Sequence, residues 1–292
     1  MHAAPSQRDR RIVQLLRRWW LAGCCALGIA AAGATAAPAA APDTDSAPDP
    51  APSWRLGIAL GYGSKSNPLI QSHAVSLPFN VDVAWFGKHW FFDNGDLGLT
   101  LVDADAATVS LVGRVNSERV FFGRTESRLA SLSAAGAPLQ DVQTVKPPDR
   151  HYAIEVGMEV MKDGRWGQLI ASAYRDASGT HDGFEAGMEY AYRWHGARWV
   201  LEPNMSLRYK SAALNDYYWG VRDDEANPAL PAYHAGSGIT AGAGLRSSYH
   251  LTPHVRLAAS LAYERLPASI TRSPIVREAH VLGWFAGLAY RF

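Results

Sequence analysis

The sequence VLGWFAGLAYRF, residues 281 to 292, carries the pattern that decides the fold. One set of alternate positions holds Leu282, Trp284, Ala286, Leu288, Tyr290 and Phe292, and the other holds Gly283, Gly287, Ala289 and Arg291, with Phe285 as a bulky exception. Because successive side chains of a β-strand point to opposite faces, this period of two predicts a strand with one apolar face. Aromatic residues occupy the C-terminal end of that face.

The same alternation recurs along the chain from Trp54 onward, and no convincing helical period accompanies it. In FEAGMEYAYRW, residues 184 to 194, and WVLEPNMSLRYK, residues 199 to 210, apolar and aromatic residues occupy one face and charged residues the other. A soluble antiparallel sandwich also alternates, with its apolar face turned inward. A soluble core would not accept unpaired charges on the opposite face, however, so the apolar face is predicted to meet lipid and the charged face to line a lumen.

The lengths of the connections support a membrane barrel. Short predicted turns, at 87–88, 162–164, 195–196 and 251–253, alternate with long loops, at 116–150, 211–236 and 266–279. Short turns at one end and long loops at the other are typical of transmembrane barrels. The fold class predicted is all-β, a transmembrane antiparallel up-and-down β-barrel of 12 strands, with 10 as the alternative because the segments 88–93 and 96–102 are short. An even count puts both termini on one side, expected to be the periplasm.

The predicted strands are residues 54–63, 77–86, 88–93, 96–102, 106–115, 151–161, 165–175, 182–194, 198–210, 238–250, 254–265 and 279–292.

The first 36 residues have the pattern of a secretory signal peptide. A basic region ending at Arg18 precedes an apolar stretch and the small residues Ala34-Thr35-Ala36. Lipidation at Cys24 is the alternative, since Leu21-Ala22-Gly23-Cys24 looks like a lipoprotein processing site. Residues 37–53, rich in Ala, Pro and Asp, are predicted to be a disordered linker. The barrel is then residues 54–292.

Charge and cysteine content exclude several classes of function. The first 36 residues hold five of the 28 basic and one of the 27 acidic residues, so the remainder carries 23 basic and 26 acidic residues, a net charge of −3. Nucleic acid is therefore not an expected partner. Both cysteines, Cys24 and Cys25, lie in the predicted signal, which excludes disulfides, zinc thiolate sites and a cysteine nucleophile from the mature chain.

The charged face supplies the candidate lumen residues. The candidates for ion pairs are Glu155, Glu185, Glu189, Arg193, Glu202, Arg208, Arg246, Arg256, Glu264 and Arg291. Acids and bases on this face are close to balance, which favours ion pairs that fill a modest lumen over a selectivity ring of one sign. No catalytic motif, metal-ligand spacing or cofactor-binding motif is present, so the protein is not expected to be an enzyme.

Several segments resemble the MipA/OmpV family of outer-membrane proteins, named after a protein that interacts with a murein-degrading transglycosylase. The most specific is LNDYYWGVRDDEA at 214–226, where Asn215, Tyr217, Tyr218, Gly220 and Val221 match the family pattern and Trp219 replaces a third tyrosine. DASGTHDG at 176–183, YHAGSG at 233–238, SPIV at 273–276 and the terminal GLAYRF are also similar. The segment Asn67-Pro68-Leu69-Ile70 departs from the family, which usually has an aromatic residue after the proline.

The resemblance implies a Gram-negative outer-membrane location and a scaffold role in cell-wall remodelling. Its partners would be outer-membrane lipid, a periplasmic murein lytic transglycosylase and a bifunctional peptidoglycan synthase; it implies no catalytic residues. The last strand resembles the barrel-assembly signal, with Leu288, Tyr290 and Phe292 as its residues. The aromatic cluster at 217–219 is interpreted as packing over the barrel mouth, with ligand contact as the alternative. The alternative function is a small-molecule channel or transport component.

Overall fold

The computed structural model describes residues 53–70, 72–76, 79–104, 107–122 and 147–291. The predicted signal peptide, the alternative lipidation site Cys24, the linker up to residue 52 and the terminal Phe292 lie outside the described residues. Ser53, assigned to the linker from sequence, is the first residue of a strand.

The described residues form one sheet of fourteen strands, twelve of which make the wall of a barrel. The wall strands are β1 (Ser53–Lys65), β3 (Phe79–Phe86), β4 (Trp90–Asp93), β5 (Asp96–Asp103), β6 (Thr108–Val115), β7 (Ile154–Gly164), β8 (Gly167–Asp176), β9 (Phe184–Ala191), β11 (Trp199–Lys210), β12 (Gly238–His250), β13 (Val255–Arg265) and β14 (His280–Arg291). Two strands of two residues each, β2 (Val75–Ser76) and β10 (Trp194–His195), extend this wall.

The barrel closes through the last strand. Strand β14 pairs antiparallel with β1, from Gly57 opposite Arg291 to Lys65 opposite Gly283. Every other neighbouring pair in the wall is antiparallel as well, which confirms the predicted up-and-down barrel. Closure removes the exposed edges that an open sheet would present. The short strands β4 and β5 are present, so the count is the predicted 12 and not the alternative 10.

The two ends of the barrel differ in the length of their connections. At the end where β1 begins and β14 finishes, here called the terminal end, the links are residues 87–89, 104–107, 165–166, 192–198 and 251–254. At the opposite end, the loop end, they are residues 66–78, 116–153, 177–183, 211–237 and 266–279, together with the tight turn 94–95. The predicted alternation of short turns and long loops is therefore confirmed.

The last strand shows how the faces are divided. Leu282, Trp284, Leu288 and Tyr290 are 38 to 50% exposed on the outside of the barrel, as residues facing lipid are. Val281 and Ala289 are buried on the inside. The bulky exception Phe285 also points inward, where a side chain at Gly63 on β1 would collide with it. The glycine leaves the room that the phenylalanine ring fills.

The turn predicted at residues 162–164 is wrong. Strand β7 continues through Gly164, and Arg165-Trp166 makes a two-residue turn into β8. Gly167 has φ of +116°, a conformation that a residue without a side chain adopts readily. The Trp166 ring lies so close to Gly164 that a side chain there would clash. The glycines therefore place the turn two residues later than polarity alone suggests.

The strand predicted from 182 to 194 is also interrupted. Strand β9 ends at Ala191, and pairing resumes only at Trp194 in β10. Tyr192 donates its backbone N–H to the carbonyl of Pro203 on β11 at 3.1 Å, but Pro203 has no N–H to donate in return. The missing ladder bond breaks the strand at this point.

The loop end contains short helices as well as irregular chain. They are a 3-10 helix at Ser117–Phe122, α1 at Ala212–Trp219 and α2 at Ala268–Thr271. Ser211 caps α1 by accepting a hydrogen bond from the Leu214 N–H at 3.4 Å. Among the described residues, the helices are too short or too polar to cross a bilayer.

Candidate functional site

The long loops fold together at the loop end into one apolar cluster, here called the plug. Its buried members are Leu69, Phe121, Phe122, Leu214, Tyr218, Trp219, Val221, Leu230, Ala235, Leu266, Ile270, Ile275 and Val281. Trp219 is completely buried, and its ring lies 5.7 Å from that of Phe121 and 5.8 Å from that of Phe122. Val281 belongs to the inward face of β14, so the cluster packs against the lumen wall. Removal of this apolar surface from water holds the loops together.

Segments far apart in the sequence meet in the plug. Asn67 donates from its side chain to the Phe121 carbonyl at 2.8 Å, and Ser273 donates from its hydroxyl to the Trp219 carbonyl at 2.5 Å. The ring of His181 lies 5.9 Å from that of Tyr218. These residues come from five different loops.

The aromatic residues of segment 215–221 pack in or against the plug and form hydrogen bonds with a second loop. The Tyr217 hydroxyl accepts from the His151 N–H at 2.9 Å, and the Tyr218 hydroxyl donates to the His151 carbonyl at 3.2 Å. The Trp219 indole donates to Glu118 at 2.9 Å. Both partners lie in the β6–β7 loop, so α1 ties two loops together.

The other residues of this segment fix the turn that follows α1. Asn215 is fully buried and donates to the Gly236 carbonyl at 2.9 Å. A side chain at Gly220 would lie 2.4 Å from the Asp216 carbonyl oxygen, so only glycine fits. Val221 forms an isolated β-bridge with Tyr233. These contacts give a packing role to all six residues that match or replace the family pattern, which are Asn215, Tyr217, Tyr218, Trp219, Gly220 and Val221.

A buried acid that sequence reasoning missed anchors the plug to the wall. Glu118, in the 3-10 helix, forms an ion pair with Lys210 of β11 and accepts the indole bond of Trp219. Lys210 is 2% exposed and Glu118 is 7% exposed. The sequence around Glu118 has no strand or helix period, and its only local signal is the neighbouring aromatic pair Phe121-Phe122.

Beneath the plug, one arginine joins three strands. The Arg114 guanidinium of β6 lies 2.7 Å from Glu155 of β7 and 2.8 Å from Glu185 of β9. It also lies over the ring of Tyr174 on β8, 3.7 Å from its centroid. Asn116 donates to Glu155 at 2.7 Å, which links this cluster to the chain entering the plug.

Most of the other predicted lumen residues form ion pairs with one another. Arg208 lies 2.8 Å from Glu264, and Arg193 donates from Nε to Glu202 at 2.6 Å. Arg246 pairs with Glu202 and lies 3.8 Å from Glu189. Arg256 faces the lumen near the terminal end, opposite Ala289 and His250. The backbone of Arg291 is placed on β14, but its side chain lies outside the described residues.

On the outer surface of the plug, Arg150 joins the β6–β7 loop to the loop between β11 and β12. Arg150 is 1% exposed and contacts both carboxylate oxygens of Glu225, at 2.6 and 2.9 Å, and the Gly220 carbonyl at 3.0 Å. Burial raises the pKa of Glu225, but the hydrogen bonds from Arg150 and from the Arg222 N–H outweigh it and hold that pKa below its ordinary value. Burial raises the pKa of the Tyr218 hydroxyl, and nearby Glu118 adds to the rise.

A cavity of about 110 Å³ occupies the lumen on the β3–β11 side. Its lining includes Phe86, Trp90, Phe91, Asp93, Asp103, Thr108, Ser110, Arg114, Glu159, Met161, Ile170, Ser172, Tyr174, Glu185, Glu189, Ser206 and Arg208. The described residues contain no group of His, Cys, Asp or Glu arranged to hold a metal ion. The lining combines carboxylate, guanidinium and hydroxyl groups with apolar side chains.

The family model described as "MltA-interacting protein MipA" matches residues 56–292. The outer membrane protein Omp26La of Vibrio anguillarum and the outer membrane protein OmpV of Vibrio cholerae are each 30% identical over 182 residues, which cover 59% of this chain and 69% of the relative. The MltA-interacting protein of Escherichia coli is 23% identical over 145 residues, 49% of this chain and 58% of the relative.

Proposed function

This chain belongs to the MltA-interacting protein MipA family and is an outer-membrane β-barrel, and we propose that it acts as a scaffold for cell-wall enzymes. In this role it binds, on its periplasmic side, a murein lytic transglycosylase and a bifunctional peptidoglycan synthase, and it brings the two together. The protein carries out no chemical step itself. The name of the E. coli relative, an MltA-interacting protein, supports a partner of this class.

The observation that carries the proposal is the apolar cluster at the loop end together with the ion pairs that cross-link the interior of the barrel. The plug occupies the loop end, and ion pairs such as Arg114 with Glu155 and Arg208 with Glu264 join the strands beneath it. A barrel built this way is a rigid body, which suits a platform that holds partners in fixed positions. The terminal end, which we assign to the periplasm because its turns are short, presents those turns as a firm rim.

The rim has two kinds of surface for a periplasmic partner. One is the set of exposed turn residues, which includes Arg165 and Arg198. The other is the stretch 37–52, which precedes β1 in the sequence; the first residue of β1, Ser53, lies at this same end. An interface on the rim alone would be modest in area, because only five short connections contribute to it.

Affinity capture from solubilised outer membranes tests the proposal. The full chain is compared with a chain that lacks residues 37–52 and with the double variant Arg165→Glu, Arg198→Glu. We expect the full chain to enrich lytic transglycosylase and synthase, and both altered chains to lose most of that enrichment. Arg277→Glu is the matched control, since Arg277 is exposed at the loop end and should leave capture unchanged. If the full chain enriches neither enzyme, the scaffold proposal fails.

The cavity favours a second candidate function, the transport of small molecules. A polar space inside an outer-membrane barrel is what such a role needs. The two candidates differ in one respect that can be measured, because a transport component must let solutes pass through the intact barrel and a scaffold need not.

A further inference from the structure

The hairpin of β13 and β14 places two basic side chains on the outside of the barrel at the loop end. Arg265 is the exposed last residue of β13, and its cross-strand partner is His280, the exposed first residue of β14. Both belong to the outward face, because Arg265 follows the lipid-facing Tyr263 by two residues. The Cβ atoms of directly opposed residues lie about 4.5 to 5.5 Å apart, so one small group can contact both side chains.

Arg265 lies at the edge of the apolar band of the barrel. The 11 residues of β13 span about 34 Å, at about 3.4 Å for each step along the strand. A strand tilt of about 40° reduces this span to about 26 Å along the membrane normal, which is close to the height of about 25 Å of an apolar band. The Arg265 guanidinium is therefore level with the lipid headgroups around the loop end.

Positive charge at the loop end is concentrated on this hairpin. Residues 265–280 contain three arginines and one glutamate, a formal charge of +2, whereas the neighbouring loop 211–237 contains one arginine and four acidic residues, a formal charge of −3. Among the residues that the structure describes, no carboxylate forms an ion pair with Arg265. The adjacent Glu264 faces the lumen and is bound to Arg208 at 2.8 Å. The guanidinium of Arg265 is left to interact with an anion outside the barrel.

The pair is held in place before any ligand arrives. The imidazole of His280 stacks on the ring of Tyr263, with the ring centroids 5.8 Å apart and the planes at 23°. The loop that joins the two strands is anchored by Ile270 and Ile275, which are fully buried in the plug. Because the side chain and loop are already ordered, binding loses little conformational entropy.

The arginine belongs to one end of this face only. At the terminal end, the outward positions of β12, β13 and β14 hold Tyr249, Val255 and Tyr290. The arginine of β13 at that end, Arg256, faces the lumen. Aromatic side chains suit either membrane interface, whereas an outward arginine is favoured where the lipid headgroups carry negative charge.

We propose that Arg265 and His280 bind the phosphate of an anionic lipid in the leaflet around the loop end. The guanidinium presents paired N–H donors that fit two phosphate oxygens, and the imidazole adds a further N–H donor. The acyl chains of this lipid lie along Leu261, Leu282 and Trp284, which are exposed on the outer wall below the pair. This binding is independent of the scaffold role.

Native mass spectrometry of the refolded full chain in detergent micelles tests the proposal, because it measures how much lipid the folded barrel retains. The probes are dioleoyl phosphatidic acid and dioleoyl phosphatidylcholine, which share their acyl chains and differ in headgroup charge. Phosphatidic acid should bind at least about fivefold more tightly, since its headgroup is anionic and that of phosphatidylcholine has no net charge. Inorganic phosphate at the same concentration should not displace it, because the free ion lacks the acyl chains that contact the wall.

Substitutions locate the binding on the barrel. The double variant Arg265→Gln, His280→Gln removes the phosphate contacts and keeps the apolar wall, so its preference for phosphatidic acid should fall to about twofold or less. Arg175→Gln is the matched control, since Arg175 is also an exposed outward arginine at the loop end but has Val156 and Phe184 as cross-strand neighbours. It should keep the full preference. Heat-dependent gel mobility checks folding, and Arg265→Gln alone decides if the double variant does not fold.

Four results overturn the proposal. The unaltered chain retains both lipids equally, or the folded double variant keeps the full preference, or Arg175→Gln loses the preference to the same extent. Displacement of phosphatidic acid by equimolar inorganic phosphate is the fourth, because the ligand would then be the free ion and not a lipid.

Discussion

Arg114 compensates the charge of two carboxylates that lie on different strands of the barrel. Its side chain is 17% exposed, and its guanidinium is shared between Glu155 and Glu185, which are almost fully buried. Removal of one member of a buried ion pair leaves the remaining charge without compensation, at a cost of about 3 to 5 kcal/mol. We therefore expect Arg114→Met to lower the free energy of unfolding by about that amount.

Urea unfolding in lipid vesicles, followed by tryptophan fluorescence, measures this change. Arg277→Met, at an exposed position of the loop end, is the control and should change stability by less than about 0.5 kcal/mol. Equal stability of the two variants would show that Glu155 and Glu185 do not depend on Arg114.

The Arg150–Glu225 pair makes the outer surface of the plug sensitive to acid. The pKa of Glu225 is lowered in the folded protein, so the pair's contribution is complete above the ordinary glutamate pKa of about 4.3 and is lost as the pH falls through the lower folded value. We expect pepsin to cleave the segment 222–232 increasingly between about pH 5 and pH 2. In Glu225→Gln the cleavage should be high at pH 5 already and nearly independent of pH. An unchanged pH profile in that variant would contradict the assignment.

At the scale of the strand, position along the wall sets the cost of a charge. Leu261 lies near the middle of β13, is 51% exposed and faces lipid. Leu261→Arg should cost about 2 to 4 kcal/mol, because an arginine at the bilayer midplane loses its water. Leu251→Arg, in the turn before β13, should cost at most about 1 kcal/mol. Unfolding in vesicles compares them, and equal costs would mean that Leu261 does not lie at the bilayer centre.

The last strand supports a prediction about assembly. Phe292 lies outside the described residues, but β14, which leads to it, closes the barrel against β1. Deletion of Phe292, or Phe292→Asp, should reduce the amount of protein in the outer membrane severalfold, because Leu288, Tyr290 and Phe292 form the predicted assembly signal. Quantitative immunoblots of membrane fractions measure this amount. Normal levels of both variants would count against the signal.

The strands could be predicted from sequence because their information is local. The position of a residue such as Leu288 or Glu185 in an alternating run predicts whether its side chain faces outward or into the lumen. The lipid outside the barrel requires apolar residues on the outward face, which makes the alternation clear. Strand ends were less accurate at Gly164 and Ala191, where a glycine conformation and a missing proline donor decide the boundary.

The plug could not be predicted in the same way, because its contacts join separate loops. Glu118 anchors the plug through Lys210 and Trp219, which lie about 90 to 100 residues further along the chain. The sequence around Glu118 has no periodic pattern that predicts these contacts. The resemblance to a family identified segment 215–221 as unusual, but the packing partners of those residues became visible only in the fold.

At the scale of the whole molecule, the barrel combines an apolar cluster of loops at the loop end with a cavity in the lumen. The plug accounts for the family-like segments, and the ion pairs account for most of the charged lumen residues. The proposed scaffold role predicts that the intact protein is a closed platform and not a passage.

Planar-bilayer conductance tests that claim most directly. The purified full chain is compared with a variant in which residues 213–235, including most of α1, are replaced by a short Gly-Ser linker. We predict no steady current through the intact protein at moderate voltage, and stable open-channel steps in the variant, because the linker cannot replace the buried side chains of the plug. A steady current through the intact protein, equal to that of the variant, would contradict the claim.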